Sequence, residues 1–323
     1  MGRTSGLVRE LRGALTAYWR EGDTSQRWLF AVGTMLVIVG LVHLVPAVLT
    51  DRAWQGPISF RKPFLFGVSF GLTSITVAWL TSYLRTGPRA RRTVAWLLGG
   101  GSVVEVSAVS LQAFRGVPSH FNLTSSFDAS VFVIMGVAVT AIALSILLVT
   151  WWSFTRLEAP GPMVLGVRTG LLVLLVSQAL GGQMVTHGIE QTLADTGREP
   201  NVFGAAGQLK VPHAVTVHAA QVLPGIAWLL GFGAWGIARQ RRVVVVAAVG
   251  YVGLVLAAGL QTFTGRSPMD LMPVSGVLLV AGVALLGGAG LVTLLALASR
   301  NATAGTGAPD QAAPAVPPRE GRP

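Results

Sequence analysis

Five histidines punctuate the chain, His43, His120, His187, His213 and His218. Imidazole changes charge nearest neutral pH, so each is a candidate proton carrier or metal ligand. Threading the hydrophobic segments by their flanking arginines puts all five in or beside the outer half of a membrane bundle. Glu105 and Arg115 stand in a segment that is otherwise largely apolar. A charge inside a bilayer costs roughly 2.5 kcal/mol or more unless it lines a protein or water cavity, so such a residue marks a site. Glu105, Arg115 and His120 are therefore the candidate catalytic groups. Glu105 falls near the bilayer midplane, either charged against Arg115, Lys62 or Arg168, or protonated and bonded to a neighbouring helix.

His43, His187 and His218 are the candidate metal ligands. Haem takes axial imidazoles presented at matching depth, and zinc takes about three His or carboxylate ligands, for which His120, His213, Glu190 and Asp128 are further donors. No His-Glu-x-x-His is present, and the five-residue step from His213 to His218 is wrong for one helical face. Gln112, Asn122, Gln183, Gln221 and Gln261 are the candidate substrate- or cofactor-binding amides. Gln112 shares a helix face with Glu105, and Gln183 with His187 and His218 with Gln221 are spaced to do the same. Ser119 and His120 are not expected to act as nucleophile and base, because neighbours in sequence rarely hold hydroxyl and imidazole in productive geometry, and there is no Gly-x-Ser-x-Gly turn. Asp128 is explained by capping the positive end of a helix.

The elements that must position these groups are membrane helices. Of 323 residues 52% are hydrophobic and 11% charged, with a mean hydropathy of +0.62, more apolar surface than a soluble domain can bury. Windows long enough to cross a hydrocarbon core of about 30 Å lie at 28–50, 61–84, 93–115, 128–152, 163–187, 212–237, 243–264 and 275–299. This predicts an all-α integral membrane fold of eight transmembrane helices. The net charge of +11 sits in short loops and tails, where arginines set topology; nucleic acid is not an expected partner. Arginines concentrate on the side holding Arg9, Arg12, Arg20, Arg89, Arg92, Arg239 and Arg241. Both termini are thereby expected in the cytoplasm of a bacterial cell, with the spans in its cytoplasmic membrane. The partners are the lipid bilayer and a small molecule or ion at the outer face, with the oligomeric state open.

The absence of cysteine rules out disulfides and thiolate ligands. No cleavable signal peptide is expected, since the first apolar run is too long for one. Four regions follow: an N-terminal segment 1–27, a first four-helix half 28–152, a second half 153–299, and an Ala/Pro/Gly-rich tail 300–323 expected to be disordered. In the first, Leu7, Leu11, Leu15 and Trp19 recur among Arg9, Arg12 and Arg20. That is the pattern of a basic amphipathic helix lying on anionic lipid, or of a frayed basic tail. Pro224 is expected to kink the sixth helix.

Offsetting the chain by 149 residues lays Pro63–Gly116 over Pro212–Gly265 without a gap. Ala78-Trp79-Leu80 falls on Ala227-Trp228-Leu229, and Leu111-Gln112-x-Phe114-x-Gly116 on Leu260-Gln261-x-Phe263-x-Gly265. Four spans separate the equivalents, so the two four-helix halves would be a parallel repeat about an axis along the membrane normal. The strings Lys62-Pro63-x-x-Phe66-x-x-Ser69, Gln112-x-x-Arg115-Gly116-x-x-Ser119-His120-Phe121-Asn122 and His218-Ala219-x-Gln221-x-Leu223-Pro224 resemble a family of uncharacterised multi-span bacterial membrane proteins. The resemblance covers helices two to six and implies membrane location and a shared site, with no activity attached.

Three functions fit this constellation. The first is a haem- or metal-binding membrane oxidoreductase or metal-dependent enzyme, with haem b or a divalent metal held in an outward-facing pocket. The alternative is a small-solute or proton-coupled transporter with Glu105 as its protonatable gate. A further alternative is a sensor or assembly partner.

Overall fold

The computed structural model describes residues 4–195 and 197–303. A helix over Thr4–Arg20 precedes eight helices long and apolar enough to cross a membrane: Thr24–Leu49, Arg61–Tyr83, Pro88–Arg115, Ser126–Thr155, Gly161–Leu193, Lys210–Leu230, Ile237–Phe263 and Pro273–Ser299. These are called spans one to eight below. Each falls on one of the windows expected from sequence, and eight such apolar helices suggest a membrane protein. The last helix continues to Thr303; the rest of the tail expected to be disordered lies outside the described residues. The chain folds as two compact units, one of residues Glu21–Trp152 and a larger one of the Thr4–Arg20 helix with the last four spans.

In the smaller unit, span one starts in a capping box. The Asp23 carboxylate accepts from Gln26 N (2.9 Å), and Asp23 N donates to Gln26 Oε1 (3.1 Å), satisfying two end groups of the helix reciprocally. The Gln26 amide then donates to Ala78 O and Thr81 Oγ1, each at 3.2 Å, tying the start of span one to the end of span two. Between those ends the two helices touch through glycine. A Cβ on Gly67 would stand 2.6 Å from Gly40 Cα, and one on Gly71 2.6 Å from Gly33 O, so each side-chain hydrogen is a condition of the contact.

Span three is not a uniform helix. Pro88 opens it at a position where a missing N–H costs nothing, and Trp96–Gly100 then winds as a π-helical turn. There the Trp28 and Trp96 rings lie 4.6 Å apart. A Cβ on Gly99 would fall 2.5 Å from the Trp28 ring, and one on Gly101 2.9 Å from Ala138 O of span four. The span ends at Gly116 (φ +72°), whose N–H donates to Ala113 O while Val117 N donates to Gln112 O, a Schellman stop that needs a residue free to turn left-handed.

In the larger unit, span five packs on span six where Gly166 meets Leu223 and Pro224, and Gly170 meets Ala219 and Ala220. Span six is interrupted at His218, between the helices Lys210–Val217 and Ala219–Leu230. The break thus precedes Pro224 by six residues, and the proline sits inside a continuous helix. Gln221, its amide nitrogen turned to face them, bridges the Val217 and His218 carbonyls at 3.0 Å each. A two-stranded hairpin, Val202–Phe203 with Gly207–Gln208 antiparallel, docks on the end of span seven through Ala206 N to Gly265 O (2.8 Å). Span seven ends in the same manner as span three. Gly265 (φ +71°) donates to Thr262 O, and Arg266 N donates to Gln261 O.

Candidate functional site

The site residues of the smaller unit converge at one end of its bundle, where span one ends, span two begins, span three ends and span four begins. Span two brings Lys62 in its first turn. Span three brings Glu105, Gln112 and Arg115, and the loop that follows brings Ser119, His120 and Asn122. Lys62 Nζ lies 3.0 Å from His120 Nδ1, and Ser119 Oγ 3.2 Å from the same nitrogen. Both are donors, so Nδ1 is the accepting nitrogen and the imidazole proton belongs on Nε2. That Nε2 faces Glu105 Oε1 across 3.6 Å. The result is a line of three titratable groups, ammonium, imidazole and carboxyl, running from the loop into the span.

Glu105 is completely buried, and neither carboxyl oxygen has a hydrogen-bond partner. One turn back, the buried Ser102 hydroxyl is also without one. A carboxyl so placed pays the full cost of lost hydration in its charged form. Phe66, Phe121 and Phe132 enclose the imidazole, their ring centroids 5.8, 6.0 and 6.1 Å away. Phe121 is held at φ +59°, a left-handed conformation that costs a non-glycine residue about 1–2 kcal/mol, and it packs on Phe132 at 5.3 Å. Burial first, and the Lys62 charge second, hold the His120 imidazole well below its ordinary value. A narrow cleft beside Lys62, too tight to enclose a water, is lined by Ser59, Lys62, Pro63, Val109, Val117 and Ser119, among others.

A second polar knot closes the same end. Asp128, in the first turn of span four, accepts from Gln112 Nε2 at 2.8 Å, from Ser125 Oγ at 2.7 Å and from Arg115. Arg115 also donates to Gln112 Oε1 and lies over the Phe127 ring. Of the partners expected for Glu105, Arg115 is thus engaged by Asp128, and Arg168 donates to Ser153 O (2.9 Å) and covers Phe154; Lys62 is the cation in line with it. Asp128 does more than cap a helix. Asn122 forms an Asx turn, its Oδ1 accepting from Thr124 N and Oγ1, and its buried Nδ2 is unpartnered. Ser119 and His120 do touch, Oγ to Nδ1 at 3.2 Å, but the nitrogen that a nucleophile would need also receives Lys62.

The remaining predicted residues hold structure. His43 sits at a break in span one, its Nδ1 donating to Val39 O at 2.7 Å, and its buried Nε2 is unpartnered near the Phe114 ring. In the larger unit, His187 Nε2 donates to Val202 O at 2.8 Å and pins the hairpin. Gln183 and His218 are exposed, and Gln221 bridges the break in span six. Gln261 is fully used by the loop after span seven, donating to Ser267 O and Asp270 O and accepting from Met272 N. In both Gln221 and Gln261 the nitrogen's two donor positions are taken by main-chain carbonyls. Among the described residues no three His, Asp or Glu side chains gather as metal ligands.

Lys62, read from sequence only as a possible partner of Glu105, joins the candidate site through His120. Its signal was a lysine immediately before Pro63 at the mouth of a span, where a basic residue also reads as an interface anchor. No known family model, curated protein or solved structure matches the chain.

Proposed function

We propose that the protein is a multi-pass carrier of the bacterial cytoplasmic membrane, both termini cytoplasmic, that couples proton transfer through its first four spans to movement of a small solute. The observation that carries this reading is the Lys62–His120–Glu105 line ending in a buried carboxyl with no hydrogen bond. The step it supports is balanced. The Lys62 ammonium gives a proton to His120 Nδ1, His120 Nε2 gives its own to a Glu105 carboxylate, and an ion pair becomes a neutral amine, a neutral imidazole and a carboxylic acid. Burial favours that neutral state. Reset requires a new proton on Lys62 from the cleft side, release from Glu105, and return of the imidazole to its first tautomer. The 3.6 Å gap between Nε2 and Glu105 is where closure would gate the transfer.

The parallel repeat belongs to the same reading. Its support is that spans three and seven end in matching Schellman stops, each with a buried glutamine that fastens the following loop or span. On the 149-residue offset Lys62 meets Val211, Glu105 meets Leu254 and His120 meets Met269, so the second half would keep the frame without the proton line. The haem or metal reading retains one supporting observation, the bare acceptor nitrogen of His43, but no set of companions for it.

Reconstitution tests the proposal. Under an imposed potassium diffusion potential, liposomes holding the protein and an internal pH dye should acidify faster than empty ones, and Glu105→Gln and His120→Asn should each abolish the difference. Unchanged proton entry in folded Glu105→Gln protein would remove it.

A further inference from the structure

The Thr4–Arg20 helix is not absorbed by the proton line. One of its faces is used internally. Leu7, Leu11, Ala14 and Tyr18 turn inward, Tyr18 is 4% exposed, and its hydroxyl accepts from Trp228 Nε1 at 3.1 Å. Trp228 lies in the last turn of span six, edge-to-face with Phe232 at 4.8 Å, so this contact fixes the helix at the level where span six ends. Span one begins only four residues after Arg20, at Thr24. In a membrane both facts put the helix at a lipid–water boundary.

The adjoining face, about 100° around the helix, carries Val8, Arg12, Leu15 and Trp19 in one stripe of spacing four, three and four. Val8 is 61%, Leu15 60% and Trp19 48% exposed. Arg9 and Arg20 lie along the edge of the stripe away from the inward face, with Arg12 within it, against one acidic residue, Glu10. An apolar stripe with a basic outer edge is matched to an anionic headgroup layer, with the apolar side chains in the acyl boundary and guanidiniums on phosphate. Trp is the residue that favours that depth.

We infer that this helix is a surface-lying foot that binds anionic lipid headgroups through Arg9, Arg12 and Arg20 while Val8, Leu15 and Trp19 enter the bilayer. The inference rests on the chain being a membrane protein, and the test separates the two. The sequence contains no cysteine, so single spin labels can be placed at Val8→Cys, Leu15→Cys, Thr16→Cys and, on the outer face of span four, Val137→Cys. In bilayer discs containing phosphatidylglycerol, labels at 8 and 15 should be accessible to oxygen and shielded from aqueous nickel chelate, and the label at 16 the reverse. Discs of neutral lipid, or Arg9→Gln with Arg12→Gln, should weaken that contrast. Equal nickel access at 8, 15 and 16 with an oxygen-exposed label at 137 would overturn the foot alone. Nickel access at 137 would overturn the membrane reading beneath it.

Discussion

The buried imidazole yields a quantitative prediction. The His120 pKa is held well below 6.5 in the folded chain, whereas an unfolded histidine titrates near that value. Below pH 6.5 the unfolded state therefore binds a proton that the folded state refuses. The resulting stability is complete above pH 6.5 and lost as the solution is acidified, at a limiting slope of about 1.4 kcal/mol per pH unit. Between pH 7.5 and 5.0 the unfolded-state titration caps this loss at about 2 kcal/mol for one such group. Unfolding of micelle-solubilised protein at the two pH values should show this loss in the natural chain and lack it in His120→Asn, the difference cancelling groups common to both. Nitrogen-15 spectra of histidine-labelled protein, with the resonance absent from His120→Asn identifying the ring, should give the Nε2–H tautomer and a titration displaced well below 6.5. An imidazole titrating near 6.5, or one protonated on Nδ1, would refute the donor assignment of Lys62 and Ser119 on which the proton line rests.

Three further outcomes are expected. Gly67→Ala must push spans one and two apart at Gly40 and should cost about 1–3 kcal/mol, seen as a lowered thermal transition, whereas Gly136→Ala, where a new Cβ meets nothing within 4 Å, should be close to neutral. Gln261→Ala leaves the Ser267 and Asp270 carbonyls without their donor and should destabilise by about 1–3 kcal/mol, with faster amide exchange confined to residues 266–272. Elemental analysis of purified protein should find no stoichiometric zinc, because the described residues gather no three ligands; a Soret band in an absorbance scan would show haem held by fewer ligands and reverse the ranking of the functional readings.

Hydropathy alone located the eight helices, since a run of about twenty apolar residues has few other uses. Glu105 and His120 were legible as a site for a related reason: an ionisable or polar side chain in or beside a span stands out against its surroundings. Which histidines mattered was not legible. His43 and His187 have the same side chain as His120, and only the backbone carbonyls of Val39 and Val202 show that they pin structure. The partners of Gln261 were hidden for the same reason, since all three are main-chain atoms of a loop whose path the sequence does not announce. Lys62 was weighed as a partner of Glu105, but 43 residues separate them, and no spacing rule reaches across two spans. The break at His218 also escaped, because Pro224 offered a more familiar place for it.

The wide turn at Trp96–Gly100 sets the azimuth of everything after it. One residue added to a helical turn rotates the remainder by about 100°, so the carboxyl of Glu105 is aimed by the winding of a glycine-rich stretch two turns away. Shortening Gly99–Gly101 by one residue would regularise the coil and swing the acid off its bearing toward His120, disconnecting it without altering a single atom of Lys62, His120 or Glu105.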